Sequence, residues 1–332
     1  MNPAATGNLY EISSCVPLLR TGSSIFAPFM HTRTKAHLSV LTANLFFGIN
    51  FSVMKHVTGT MMSPLALNVL RVAGSALLFW LFVLFSRVPL FIGKKDRLRL
   101  LVCALTGIVI NQVLFTKGVS LTTPIHGALL MLVCPIAVVF IAAFLVGEGI
   151  QAKKIAGLVL GVAGATLLIL LRESTPGSPD VVTGDILIMV NALSYAFYMV
   201  FVLPLMKQYN GIAILTWMFT IAFFLITPMG WNDCAKINWG SFNLEDWAAL
   251  VFVVAAVTFM AYLMNIYSIR HLGPSVTGAY IYTQPLFAGI ISVLYAGDTQ
   301  HLLIKICAAL LIMTGVYLVS KKKTVTASDV SE

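Results

Sequence analysis

Of the 332 residues, 59% are hydrophobic and only 10% are charged, with a mean hydropathy of +0.93, whereas an ordinary soluble domain carries roughly 25% charged residues. This composition excludes a soluble fold: at roughly 20 residues per membrane-spanning helix, the apolar supply suffices for about ten spans and leaves little for an aqueous domain. The net charge of +9 does not indicate a nucleic-acid partner, because the basic residues punctuate apolar runs instead of gathering on one aqueous face; the expected surroundings are the lipid bilayer.

Residues 1–36 are rich in Ser, Thr, Pro and Gly with a broken apolar pattern, and they read as a disordered tail without the continuous apolar region of a signal peptide. Ten apolar runs of helical length follow. They are His37 to Val57, Leu65 to Ser86, Leu98 to Phe115, Pro124 to Val146, Lys154 to Leu171, Ile186 to Leu205, Gly211 to Gly230, Trp247 to Ser268, Ser275 to Ala296 and Leu302 to Ser320. Residues 321–332 form a second tail. The five cysteines lie apart, without a CxxC pair, and suggest neither disulfides nor a metal site; no cofactor is expected.

With the tail inside, fifteen of the 21 Lys and Arg residues fall on the cytoplasmic side and four on the other, so the positive-inside rule puts both termini in the cytoplasm. The chain also repeats itself. A shift of 150 matches Pro124 to Pro274, Pro135 to Pro285 and Glu148 to Asp298, and a shift of 147 matches Asn44, Gly48 and Phe51 to Asn191, Tyr195 and Tyr198. Residues 37–172 and 183–320 are therefore read as two repeats of five helices. An odd number of spans sends the second repeat in from the opposite side, giving an all-α membrane protein of ten transmembrane helices in two inverted five-helix repeats.

The residues Asn44 to Phe51, Pro64 to Arg71, Pro135 through Glu148, Gly157 to Gly164 and the pair Gly184-Asp185 together resemble the drug/metabolite transporter superfamily, EamA branch. The likeness covers about residues 37 to 320. Phe47 stands where the family usually has Trp, and Asp298 where Glu is commoner. The resemblance implies a central cavity walled by helices 1 to 4 and 6 to 9, with helices 5 and 10 peripheral. It also implies a transporter, and export rests on the resemblance alone.

Polar groups in lipid are costly, so intramembrane amides and phenols should face inward. Asn44, Gly48, Phe51 and Lys55 share one helical stripe, and Asn191, Tyr195 and Tyr198 repeat its first three steps. Either set lines a substrate cavity or packs helix against helix around small residues. The same choice applies to Asn50, to Gln112 with Phe115, to Tyr262 with Asn265, and to Tyr280 with Gln284. Arg71, seven residues past Pro64, should lie roughly 10 Å below the outer boundary. It either pairs with Asp185 or faces the substrate, and in the second role it favours anionic or zwitterionic solutes over organic cations. Pro135 and Pro285 sit in mid-span and should kink their helices, as hinges or as static bends. Gly157, Gly161 and Gly164 give a small-residue face, read as packing within the monomer rather than a homodimer contact. Glu148 and Asp298 read as caps or loop pairs.

The rival classes are an intramembrane enzyme and a receptor or scaffold. No HExxH or GxSxG occurs, Gly184-Asp185 lacks the first glycine of GxGD, and the six histidines have no ligand spacing. A receptor would leave the inverted repeat without purpose. The expected function is a secondary transporter that moves a small amphipathic, amino-acid-like molecule by alternating access. No P-loop is present to couple it to ATP.

Overall fold

In the computed structural model, residues 32–121, 130–170, 181–287 and 302–320 are described, and among them the chain is helical with no strand. Helix α1 spans Thr32–Met61, α2 Pro64–Ser86, α3 Lys94–Leu121, α6 Val182–Gln208, α7 Gly211–Cys234 and α8 Leu244–Leu272; these six are long and apolar enough to cross a membrane. Between and after them lie α4 (Val133–Val146), α5 (Ala152–Leu170), α9 (Pro274–Ala279) and α10 (Leu302–Ser320). Residues 32–36, expected in the tail, are helical and belong to α1. The tails 1–31 and 321–332, Pro124, Arg172 and Asp298 lie outside the described residues, as does the side chain of Lys55.

Local chemistry sets the helix ends. Ser63 Oγ accepts from Ala66 N with Pro64 in the first turn of α2, and Asn210 Oδ1 accepts from Ile212 N at the start of α7. Asn243 and Asp246 exchange side-chain and backbone bonds at the start of α8, a reciprocal cap that satisfies two orphan donors. At the other end of α8, Gly273 adopts φ +88°, which only glycine takes without strain, and Pro274 opens α9 at once. Between α6 and α7, Tyr209 donates to Asp96 and accepts from the Gly93 amide; the carboxylate holds the phenol proton and raises its pKa.

The packing is reciprocal between the halves. Helix α1 lies against α8 and α3 against α6, α2 packs on α7, α4 on α6 and α9, and α5 on α10. The last pair is tight. A Cβ on Gly157 would stand 2.7 Å from the Gly315 carbonyl, and one on Gly315 would stand 2.6 Å from that of Gly157. The glycine face of α5 is thus covered by α10 of the same chain.

Among the described residues, three stretches are wound more widely than an α-helix. π-helical turns occupy Val57–Met61 in α1, Leu105–Val109 in α3 and Phe252–Met260 in α8. Shifted by 150, the α3 stretch falls inside that of α8. Both expected prolines sit beside breaks three residues upstream: Leu132 is a turn ahead of Pro135, and the tight turn Tyr280–Tyr282 precedes Pro285 within the helical residues 283–287. Each proline lacks the N–H that would bond back into that break.

Candidate membrane-embedded cavity

A cavity of about 650 Å³ of empty space, part of it open to the outside, lies among α1, α2, α3, α6, α8, α9 and the residues that follow α9, with a further wall residue at Met131. Eight of the eleven sequence candidates line it: Asn44, Asn50, Arg71, Asn191, Tyr195, Tyr262, Asn265 and Gln284. Phe51 and Phe115 join them and meet edge to face at 5.5 Å.

The polar wall is largely cross-bonded between the halves. Gln284 Nε2 donates to Asn44 Oδ1 at 2.8 Å, and Asn44 Nδ2 donates back to Val40 O within its own helix. Asn191 Nδ2 donates to the Asn111 carbonyl at 2.6 Å, which fixes the amide's orientation, and Asn265 Nδ2 donates to the Tyr195 hydroxyl. The Tyr262 hydroxyl reaches the Gly107 carbonyl at 3.2 Å and Asn111 Oδ1 at 3.3 Å. Some buried atoms find no partner among the described residues: Asn50 Oδ1, Asn191 Oδ1 and Arg71 Nη1.

Arg71 is 4% exposed. Its Nε–H donates to Thr258 Oγ1 at 3.0 Å, and that hydroxyl spends its own proton on the carbonyl of Val253, five residues back in the π-helical stretch. The i−5 spacing turns the threonine oxygen toward the guanidinium. The expected partner Asp185 is not its partner: among the described residues no carboxylate lies within ion-pairing distance of Arg71. Asp185 opens α6, next to Gly184, whose carbonyl adjoins Gly118 near the end of α3.

Three candidates stand elsewhere, each for a reason of helical phase. Gln112 is buried off the wall, beside Tyr262. Asn111 takes its place, because Phe115 follows Asn111 by four residues and Gln112 by three, and both spacings put a pair on one face. Tyr198 packs its ring onto Gly107, where a Cβ would stand 2.6 Å from it; the wall position a turn beyond Tyr195 goes to Met199. Tyr280 was phased as though one α-helix ran on to Gln284, but the 3₁₀ turn advances about 120° per residue. The turn sends its hydroxyl to His37 Nδ1 at 2.8 Å and leaves Ile281 on the wall. Phe47, Thr277 and Met131 were missed as well, being a resemblance departure, a small hydroxyl and an apolar residue without polar signal.

Beyond the cavity, Glu148 ties three helices: Oε1 accepts from Lys154 Nζ at 2.5 Å and Oε2 from Ser275 Oγ at 2.7 Å. His56 Nε2 meets Asp246 Oδ1 at 2.9 Å between α1 and α8. Among the described residues no three His, Cys, Asp or Glu side chains gather as a metal site.

The profile of the EamA-like transporter family matches residues 34–170 and 182–321, one match in each half of the chain. The chain belongs to the EamA-like transporter family. It is similar to an uncharacterized transporter of Bacillus subtilis, YetK, with 24% identity over 67% of each chain. It is also similar to a WAT1-related protein of Arabidopsis thaliana, with 23% identity over 88% of this chain and 87% of that one. A solved crystal structure, titled only as that of a protein, superposes with a TM-score of 0.72 at 19% identity over 90% of this chain and 100% of the other, a likeness of fold. This EamA protein is thus a multi-pass membrane protein of a transporter family, and its cavity draws walls from both matched halves.

Proposed function

We propose that this EamA protein is a secondary transporter of the cytoplasmic membrane that exports a small amphipathic metabolite, zwitterionic or anionic, by alternating access. In this reading it has ten spans in two inverted five-helix repeats, 37–172 and 183–320, with both termini in the cytoplasm. The observation that carries it is the cavity itself, whose wall joins Asn44, Asn50 and Arg71 of one repeat to Asn191, Tyr195, Asn265 and Gln284 of the other. Relative motion of the halves changes access to a site built in this way.

Further support is the exchange symmetry of the packing, in which α1 meets α8 as α6 meets α3, and α2, α4 and α5 each meet their own counterpart. The matched π-helical stretches in α3 and α8 and the matched breaks at Pro135 and Pro285 favour a common design of two repeats. Arg71, facing a wall of amides and phenols without a carboxylate among the described lining residues, favours solutes that bring negative charge. Comparing intracellular and extracellular metabolites in deletion and overexpressing cells tests it. An exported solute accumulates inside the deletion strain and outside the overexpressing one; unchanged pools in both strains overturn export.

A further inference from the structure

We infer that the cavity binds a monoanion, a small carboxylate carrying a hydroxyl or N–H donor and no ammonium group, and that transport therefore moves one net negative charge per turnover. This rests on the transport reading above and narrows it. Charge comes first. Arg71 is the only charged residue among those described on the cavity wall, it is buried, Nε is held by Thr258, and Nη1 has no partner. Guanidinium does not shed its proton, so the empty site holds a cation that no carboxylate compensates among the described residues, in a low-dielectric interior. A monocarboxylate brings the site to neutrality and offers the planar oxygens that a guanidinium prefers. A zwitterion leaves a net charge of +1 in the same place, and its ammonium meets only neutral amide and phenol oxygens. A dianion leaves −1.

Besides Arg71 Nη1, the buried atoms of wall residues that lack a partner among the described residues are two acceptors. Asn191 has committed its N–H to the Asn111 carbonyl, so Oδ1 is the free end, and Asn50 Oδ1 is likewise buried and unpaired. Orphaned acceptors at the wall of a cavity are satisfied by donors on the ligand. A hydroxyl or an amide N–H answers them without importing charge. Phe47, Phe51, Phe115 and Met199 leave space for an apolar body.

The electrical consequence follows from the sums. The loaded carrier is neutral at the site and the empty one carries +1, so the membrane potential acts on the return of the empty carrier. An inside-negative potential draws the empty Arg71 toward the cytoplasmic orientation, where it reloads, and drives the anion outward without a coupling ion. Each 59 mV sustains about a tenfold outward gradient of a monovalent solute.

The test uses the purified full chain in sealed vesicles with potassium gradients and valinomycin. The probes are radiolabelled 2-hydroxyisovalerate and valine, which share a carbon skeleton and differ in net charge. The expected result is carrier-dependent efflux of the hydroxy acid that quickens several-fold with an inside-negative potential, with valine at least tenfold slower and indifferent to voltage. Arg71→Gln should lose the hydroxy-acid flux, and Arg71→Lys, which keeps the charge, should retain part of it. Valine flux equal to or above that of the hydroxy acid, voltage-independent hydroxy-acid flux, or full flux in correctly folded Arg71→Gln overturns the charge assignment and leaves the transporter reading standing. No flux of either probe through protein that elutes as a single native species overturns both.

Discussion

Gln284 Nε2 donates to Asn44 Oδ1 at 2.8 Å across 240 positions, and this one amide pair closes α1 against the helical residues 283–287 at the cavity wall. Hydrogen bonds between membrane helices average about 0.6 kcal/mol in double-mutant cycles. The cycle built from Asn44→Ala and Gln284→Ala should give a coupling of about that size, read from reversible unfolding in mixed micelles. Strict additivity of the two losses would show that the bond is not formed in the folded protein.

Thr258 holds Arg71 through one oxygen, so its two near-isosteres should separate. Thr258→Val keeps the volume and removes the acceptor; Thr258→Ser keeps the acceptor. Transport should fall at least tenfold in the valine variant and remain within about threefold of wild type in the serine variant, since a buried bond to a charged group is worth about 1.5 to 3 kcal/mol. Equal rates in the two variants would mean that the hydroxyl does not orient the guanidinium.

Cysteine replacements report the wall directly. Tyr195→Cys and Gln284→Cys should react with small water-soluble thiol reagents, whereas Tyr198→Cys, packed on Gly107, should resist them. The native Cys103 and Cys134 are buried and should stay silent in the same experiment, and the exposed Cys307 should be the first to react with a lipid-soluble reagent. Rapid water-soluble labelling at Tyr198→Cys with none at Tyr195→Cys would reverse the phase assigned to α6.

Gly157 and Gly149 make a matched pair. A methyl at Gly157 meets the Gly315 carbonyl at 2.7 Å, while one at Gly149 meets nothing within 4 Å. Gly157→Ala should destabilise by about 1 to 3 kcal/mol, as overpacking does. Gly149→Ala should fall within about 0.5 kcal/mol of wild type. Thermal unfolding in detergent measures both, and equal midpoints would contradict the close contact of α5 with α10.

Helix type and order were legible from hydropathy alone, because runs such as Leu302 to Ser320 must be helical to satisfy their backbone in lipid. Helix α1 includes the five residues before His37, mostly polar positions that hydropathy does not count. Most of the wall was legible for a related reason: amides at Asn44, Asn191 and Gln284 have no business facing lipid. What failed was phase. A 3₁₀ turn redirected Tyr280, and the choice between Asn111 and Gln112 depended on an i+3 or i+4 pairing that both fit. The Thr258 contact with Arg71 depends on a π-helical register that leaves no mark in residue type. The pairing of Arg71 with Asp185 is not formed, because position along the chain does not tell which helix faces meet.

The interlock of Gly157 with Gly315 has a consequence for how the protein is made. The two glycines are 158 positions apart, and at about 5 to 20 residues per second some 8 to 30 seconds pass between their syntheses. During that interval the ridge of bare backbone on α5 has no counterpart, because the helix that fits it is made later. A nascent chain truncated before α10 should therefore present that ridge to chaperones and proteases of the membrane, and quality control could distinguish finished from unfinished molecules by this one seam.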